Sequence, residues 1–547
     1  MTTDLSPLWT AVRTQSPYDV MALHADFGPA AKMPVEALNI FLQTACVLGD
    51  LDRVLADGLD NPTVSLLPKE GAAMLLYALY ESGNGALLTQ GRVSIRADAS
   101  RPNVLAYAAC CMLQAGQAGK AAELLARLVR TQGEAPHAGH QRVMVEALFR
   151  ATDGEEGTGV SALLARAGLT VAPDWLAYES FRRAPSPEMA ERLPLPGEGA
   201  VRRAKHIGST PPWGPGRIAE PRLTERKSPL AVTGFTPPTD AFSIDIGARV
   251  AAVVDAVAAL KDTPKIARAL DALAAIRAAH APDAGDPVQV ISTGRAGTTA
   301  LSDFLEGTPY CPFHSYAWVT GPRHRWAMTR FLIEGETGAE QARPFVELFL
   351  FCRIAELAAA YRRGETPVLV SHWDSIFAPV LAGLFPRSRF LHLRRAPKAV
   401  IGSMIAKRQY AGAQIASLPY RLDPGGEGDG VAFDGRALFP ELPRHVGWYL
   451  AFTEHFWRGL GTALGERAHL AIASESLFEG REEGLGPLLD AGFPGCGLGL
   501  EEARAHFGHK INEKTRSKMD ETARVRDLLA RAQDFYREFA GEMDARP

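Results

Sequence analysis

The sequence predicts an α/β protein in which a mainly parallel sheet is flanked by helices and is preceded by an all-helical region. Short apolar runs at 288–291, 368–370, 389–393 and 470–473 have the length of buried strands. Stretches with helical apolar spacing separate these runs, and strands that alternate with helices pair mainly in parallel. Residues 35–175 follow helical spacing instead.

Composition limits the class of protein. The chain of 547 residues is long enough for two or three domains, and an apolar fraction of 46% is sufficient for sizeable cores. A net charge of −3 argues against a nucleic-acid partner. No uncharged apolar run reaches 18 residues and the first residues lack a signal pattern, so no transmembrane segment is predicted.

The cysteines indicate a compartment. None of the six forms a C-x-x-C pair, so neither a zinc site nor a redox motif is indicated, and no metal is expected. So few thiols in so long a chain are typical of buried apolar residues in a reducing environment. The sequence therefore predicts a cytoplasmic protein.

Glycines punctuate the helical pattern of the first 180 residues. Gly49, Gly83, Gly116 and Gly154 follow one another after 34, 33 and 38 positions. The spacing resembles the 34-residue period of tetratricopeptide (TPR) repeats, and the unit around Ala106–Ala109 and 121–125 resembles it most. This resemblance implies a groove for a protein partner, whereas the alternative is an ordinary helical domain with coincidental glycines.

Prolines are dense between residues 183 and 242, where they disfavour helices and central strands. We therefore expect a linker or an extended arm over 181–243, between a helical domain at 1–180 and an α/β domain at 244–547. Helical spacing returns at 245–281, which is expected to cover an edge of the sheet.

The rest of the α/β domain follows the alternating pattern. Beyond the strand runs, apolar spacing predicts helices from Thr299 onward and over 341–363, 376–385, 396–408, 445–464 and 521–541.

The loop after the first strand has the composition of a phosphate-binding turn. It comprises Thr293, Gly294, Arg295, Ala296, Gly297, Thr298 and Thr299. Its two glycines allow the backbone to approach a ligand, and consecutive N–H groups at a helix N-terminus form an anion nest. Arg295 adds positive charge, and Thr298 and Thr299 add hydroxyl donors. The alternative is a glycine-rich turn without a ligand.

A second anion-binding pattern follows the 389–393 strand. Arg395 is followed by Pro397, which opens a helix, and Ser403 lies eight positions after Arg395. A guanidinium group can bind a phosphate through two N–H bonds, and a hydroxyl can complete the shell. Alternatively, Arg395 pairs with an acid and Ser403 faces solvent.

Together the two patterns resemble those of sulfotransferases that use 3′-phosphoadenosine-5′-phosphosulfate (PAPS). The loop departs from G-x-x-x-x-G-K-[ST] but is similar to the family's [KR]-[SA]-G-[ST]-[TS], and Arg395, Pro397 and Ser403 resemble its R-x-P…S motif. The resemblance implies a P-loop NTPase-like fold over about 286–545. It also implies transfer of a sulfuryl group from PAPS to a hydroxyl or amine, with 3′-phosphoadenosine-5′-phosphate (PAP) as the other product.

The same resemblance implies residue roles. The loop would hold the 5′-phosphosulfate, with Arg295 neutralising charge on the leaving oxygen, and Arg395 and Ser403 would hold the 3′-phosphate. His372 precedes Arg395 by 23 positions, a spacing similar to that of the family's general base. His314 and Asp374 are alternatives for this role.

Several questions stay open at this stage. The tyrosylprotein branch of the family fits less well, because Tyr316 and Trp373 stand where that branch has an acid and a lysine. Lys510 and Lys514 lie in a segment similar to the family's basic C-terminal segment, which would close over the nucleotide. The alternative interpretation of these lysines is a solvated charged loop. The acceptor can be a saccharide, lipid, peptide or small molecule. Two other functions compete: a kinase or NTPase on a related fold, and a non-catalytic TPR scaffold.

Overall fold

The computed structural model describes residues 4–14, 17–47, 51–62, 64–90, 102–132, 181, 184–191, 241–314, 322–372, 374–406, 442–508 and 523–544. Its α-helices are Ser6–Thr14, Pro17–Ala22, Val35–Val47, Leu51–Asp60, Lys69–Glu81, Ala86–Thr89, Pro102–Gln114, Ala118–Gln132, Pro187–Glu191, Ile246–Ala258, Pro264–His280, Thr298–Leu305, Pro322–Glu334, Ala339–Arg362, Ala378–Leu384, Pro397–Ala406, Leu442–Leu464, Ser474–Phe478, Glu482–Pro487, Leu500–Gly508 and Ala523–Asp544.

A five-stranded parallel sheet forms the centre of the C-terminal region. Its strands lie in the order β2-β3-β1-β4-β5, and every pair of neighbours is parallel. Their bounds are β1 Val288–Ile291, β2 Tyr310–Phe313, β3 Thr366–Leu369, β4 Arg389–Arg394 and β5 Leu470–Ala473. The parallel α/β architecture expected from the alternating pattern is confirmed.

Helices cover both faces of the sheet. Because side chains alternate along a strand, Val290 and Leu391 contribute to a core on one face, whereas Ile291 and Phe390 contribute to a core on the other. The first core includes helix Thr298–Leu305 and the short helices between residues 474 and 508. The second includes the longer helices of the domain. Burial on both faces explains why β1 and β3 are mainly apolar.

Some elements were not expected from the sequence. β2 contains Pro312, which lacks a backbone donor, and no strand was predicted there. The proline is tolerated because β2 is an edge strand of the sheet. Helix Pro322–Glu334 was also missed. The helical stretch expected at 245–281 divides at Pro264 into two helices, which pack on other helices of the domain.

The N-terminal region is helical, as expected. Gly83 and Gly116 have left-handed φ angles of 73° and 72° directly after helices Lys69–Glu81 and Pro102–Gln114, where they reverse the chain. Gly49 and Gly154 lie outside the described residues.

Most of the proline-rich stretch also lies outside them. At its start, however, Pro187–Glu191 forms a short helix where an extended chain was expected. Arg362 Nη1 donates to the carbonyls of Ala190 and Glu191, 2.8 and 2.7 Å away, so this helix is tied to helix Ala339–Arg362.

His392 places an ionisable ring inside β4, with 1% of its surface exposed. Burial and, secondarily, the charge of Arg394 lower the pKa of His392 to about 3. In the unfolded chain the imidazole has its ordinary pKa near 6.5. Between that pH and about pH 3, the unfolded state therefore binds a proton at His392 that the folded state does not bind. The stability that neutral His392 contributes is therefore complete above pH 6.5 and is lost as the pH falls toward 3.

We expect the free energy of unfolding to decrease more steeply with acidification in the native protein than in His392→Leu. The difference in slope should be about 1.4 kcal/mol per pH unit between pH 6 and 4. Urea unfolding of both proteins at several pH values measures it. Glu454, whose pKa burial raises, acts in the opposite direction but is present in both proteins. Parallel pH profiles would contradict the expectation.

Candidate functional site

The topology of the sheet creates a crevice beside the first predicted motif. From β1 the chain leaves toward β2 on one side of the sheet, and from β4 it leaves toward β5 on the other. β1 and β4 are direct neighbours, with Ile291 opposite His392. Ligands of open α/β sheets bind outside the carboxyl ends of such diverging strands. The loop at 292–297 and Arg395 both lie at this point.

The loop has the backbone of a tight cradle. Gly294, Arg295 and Gly297 have positive φ angles of 76°, 58° and 91°, and helix Thr298–Leu305 begins directly afterward. A Cβ on Gly294 would lie 2.9 Å from His372 Cδ2, and one on Gly297 would lie 2.9 Å from Phe478 Cε2. Both glycines are therefore required by conformation and by packing. Arg295 adopts a left-handed conformation, which is unfavourable for a residue with a Cβ atom. Such backbone strain is typical of functional loops.

Neighbouring elements hold the loop in this shape. Ser292 N donates to Ser375 Oγ at 3.1 Å, Gly294 N donates to Ser292 Oγ at 3.0 Å, and the Tyr449 hydroxyl donates to the carbonyl of Thr293 at 3.2 Å. These bonds involve β1, the segment after β3 and helix Leu442–Leu464. The cradle is thus fixed by tertiary contacts and is preformed.

The predicted loop residues contribute differently. Thr293 is buried and its hydroxyl donates to the carbonyl of Gly294 at 3.0 Å, so it shapes the turn. Ala296 is fully buried and can offer only its backbone. Thr298 Oγ1 lies 3.0 Å from His314 Nε2, and Thr299 is partly exposed at the start of the helix.

The two predicted anion motifs meet. Arg295 Nε donates to Ser403 Oγ at 2.9 Å, and Arg395 Nη1 donates to the carbonyl of Arg295 at 2.9 Å. Arg395 Nε also lies 3.9 Å from Glu475 Oε1. The guanidinium groups of Arg295 and Arg395 consequently belong to one continuous surface at the edge of the sheet. Such an arrangement can bind a ligand with more than one phosphate.

The three candidate bases have different surroundings. His372 is 9% exposed, and its ring lies against Gly294. It also lines a cavity of about 20 Å³, together with Thr329, Ser375 and Tyr449 among others, which is enough for one water molecule. His314 reaches the loop through Thr298.

Asp374 is 1% exposed and forms an ion pair with Arg353, so its carboxylate belongs to the interior. The surroundings of His372 and His314 fit a group that acts at the loop, and those of Asp374 do not.

A buried charge cluster supports this region and was not expected from the sequence. Arg353, on helix Ala339–Arg362, forms ion pairs with Asp374 and Glu356, and all three side chains are at most 3% exposed. Gln289 Nε2, on β1, donates to the carbonyl of Asp374 at 2.7 Å. The cluster therefore anchors the segment that carries His372 and Ser375. Its only sequence signal is a charged pair within an apolar helix.

Other predicted features fall outside these contacts. Trp373, Tyr316, Lys510 and Lys514 lie outside the described residues. Within the described part of the chain, no three His, Cys, Asp or Glu side chains are arranged to hold a metal ion. None of the helices described is both long and apolar enough to cross a bilayer.

Comparisons of the chain with protein-family models, curated proteins and solved structures found no match.

Proposed function

We propose that the chain is a PAPS-dependent sulfotransferase with a P-loop NTPase-like catalytic domain. The observation that carries the proposal is the pair of bonds joining Arg295 to Ser403 and Arg395 to the Arg295 carbonyl. These bonds bring a phosphate-type loop and a second arginine together at the crevice of a parallel sheet, as binding of a doubly phosphorylated nucleotide requires.

The residues present fit such a nucleotide. Gly294 and Gly297 give the loop its left-handed turns, and the first turn of helix Thr298–Leu305 adds N–H groups and the Thr299 hydroxyl. These groups would hold the 5′-phosphosulfate. Arg395 and Ser403 would hold the 3′-phosphate; a hydroxyl that accepts one hydrogen bond can still donate another, so Ser403 can serve Arg295 and a phosphate oxygen together.

The reaction requires little of the protein beyond positioning and charge stabilisation. PAPS supplies an activated sulfuryl group, whose S–O bond to the 5′-phosphate breaks as a bond to the acceptor oxygen or nitrogen forms. Arg295 would stabilise the negative charge that remains on the phosphate oxygen. His372 would accept the proton of the acceptor, since its ring borders the cradle at Gly294. His314 is the alternative base.

The N-terminal helices support a finer proposal, a TPR-like array with a groove for a protein partner. Helices that open successive pairs begin at Val35, Lys69 and Pro102, a spacing close to one TPR period. Cys110, Cys111, Cys311 and Cys496 are buried cysteines outside any disulfide, which suits a cytoplasmic protein.

Nucleotide binding tests the proposed function. Isothermal titration with PAP, 5′-AMP and ATP, each with and without Mg²⁺, should show tightest binding of PAP and no requirement for the metal. Tighter binding of ATP with Mg²⁺ would indicate a kinase or NTPase, and the absence of binding would favour a scaffold. Incubation with sulfur-labelled PAPS and an extract of the source cells should then label the acceptor.

A further inference from the structure

Glu475 already occupies a position that suits an anion. Its Oε1 accepts a hydrogen bond from the main-chain N–H of Ala396 at 3.0 Å and lies 3.9 Å from Arg395 Nε. A guanidinium group and an N–H group at the start of helix Pro397–Ala406 are donors that also bind phosphate oxygens. In this structure a carboxylate of the chain itself meets both donors.

The sheet fixes this position. β4 and β5 are neighbours, with Arg394 opposite Ala473, so the residues following each strand lie side by side. Glu475 stands in the first turn of helix Ser474–Phe478, and Phe478 of the same helix closes on Gly297 of the cradle. The carboxylate is therefore held beside Arg395 by the same short helix that packs on the loop.

We infer that Glu475 is an affinity-determining residue, whose carboxylate balances the charge of Arg395, occupies the donors of this pocket and so lowers its affinity for phosphate. The inference rests on the proposed function, because it takes the ligand of Arg395 to be the 3′-phosphate of a nucleotide. A phosphate bound to Arg395 lies close to the carboxylate and is repelled by it. A phosphate must therefore displace the carboxylate from these donors or bind against its charge.

The variant Glu475→Gln isolates this charge. Its amide oxygen can still accept the Ala396 N–H, so the start of the helix keeps its hydrogen bond while the negative charge is lost. Glu479→Gln is a matched control, since Glu479 follows the same helix but pairs with Arg481. Adenosine 3′-phosphate and adenosine 5′-phosphate probe the Arg395 pocket and the loop separately, and PAP probes both.

We expect Glu475→Gln to bind PAP and adenosine 3′-phosphate about five- to tenfold more tightly than the native protein in isothermal titration. Binding of adenosine 5′-phosphate should stay unchanged, as should every affinity in Glu479→Gln. Unchanged or weaker binding of adenosine 3′-phosphate by Glu475→Gln, in a protein that binds PAP, overturns the inference and leaves the proposed function standing. A native protein that binds no PAP overturns both. Equal thermal midpoints of the two variants show that folding does not account for the result.

Discussion

Arg353→Met is expected to lower the free energy of unfolding by about 3–5 kcal/mol, the usual cost of removing one partner from a buried ion pair. Arg353 is 0% exposed and its guanidinium is the cation that faces Asp374 and Glu356. Methionine fills much of the same volume, so the loss comes mainly from two carboxylates left in the interior without that cation. Urea unfolding at pH 7 measures it.

The controls separate charge from packing. Arg343→Met lies on the same helix but removes an exposed pair with Glu340, so it should cost less than about 1 kcal/mol. Adding Glu356→Gln and Asp374→Asn to Arg353→Met should recover part of the loss, because neutral amides are cheaper to bury than carboxylates. A single Arg353→Met variant as stable as the native protein would show that the cluster contributes no net stability.

Arg395→Ala is expected to weaken binding of PAP about 30-fold while leaving that of 5′-AMP nearly unchanged. The reason is the loss of charge-assisted bonds to the 3′-phosphate, together worth about 2 kcal/mol. Isothermal titration of both nucleotides measures the ratio directly. The difference in PAP affinity between the native protein and the variant should decrease in high salt, because Arg395 is exposed directly after β4.

Arg394→Ala is the matched control for this substitution. It removes the same charge one position earlier, but Arg394 acts on His392 and Glu454 instead of the loop. Its PAP affinity should change by less than about threefold, given screening between exposed charges. Equal weakening of PAP and 5′-AMP in Arg395→Ala would show that Arg395 acts through the Arg295 carbonyl and not on the 3′-phosphate.

Strands with a continuous apolar pattern were predicted closely. The bounds of β1 and β5 agree with the expected runs, and β4 extends one residue further, to Arg394. β3 begins two residues earlier than expected, at Thr366. The second residue of the strand is Pro367, and a local pattern does not predict a strand through a proline. β2 was missed for the same reason, since only its place at the sheet edge makes Pro312 acceptable.

The residues of the candidate site likewise divide into those that a local pattern predicts and those that it does not. Arg295, Arg395 and Ser403 were predicted from spacing, because Arg295 and Arg395 follow strands and Ser403 lies in the next helix, so that a short window contains each pattern. Arg353, Tyr449 and Glu475 were not, because each acts on a partner from another element: Asp374, Thr293 and Ala396.

The strand-helix alternation, the glycines of the cradle and the arginine at the end of β4 follow from the amino-acid order alone, since backbone propensity and apolar periodicity are local properties. The three-dimensional fold was needed to show that β1 and β4 are neighbours, and hence that Arg395 bonds to the loop. It was also needed to show that Asp374 is buried against Arg353 and that Glu475 faces Ala396. Strand order and burial depend on contacts between residues far apart in the chain, and no local pattern specifies these partners.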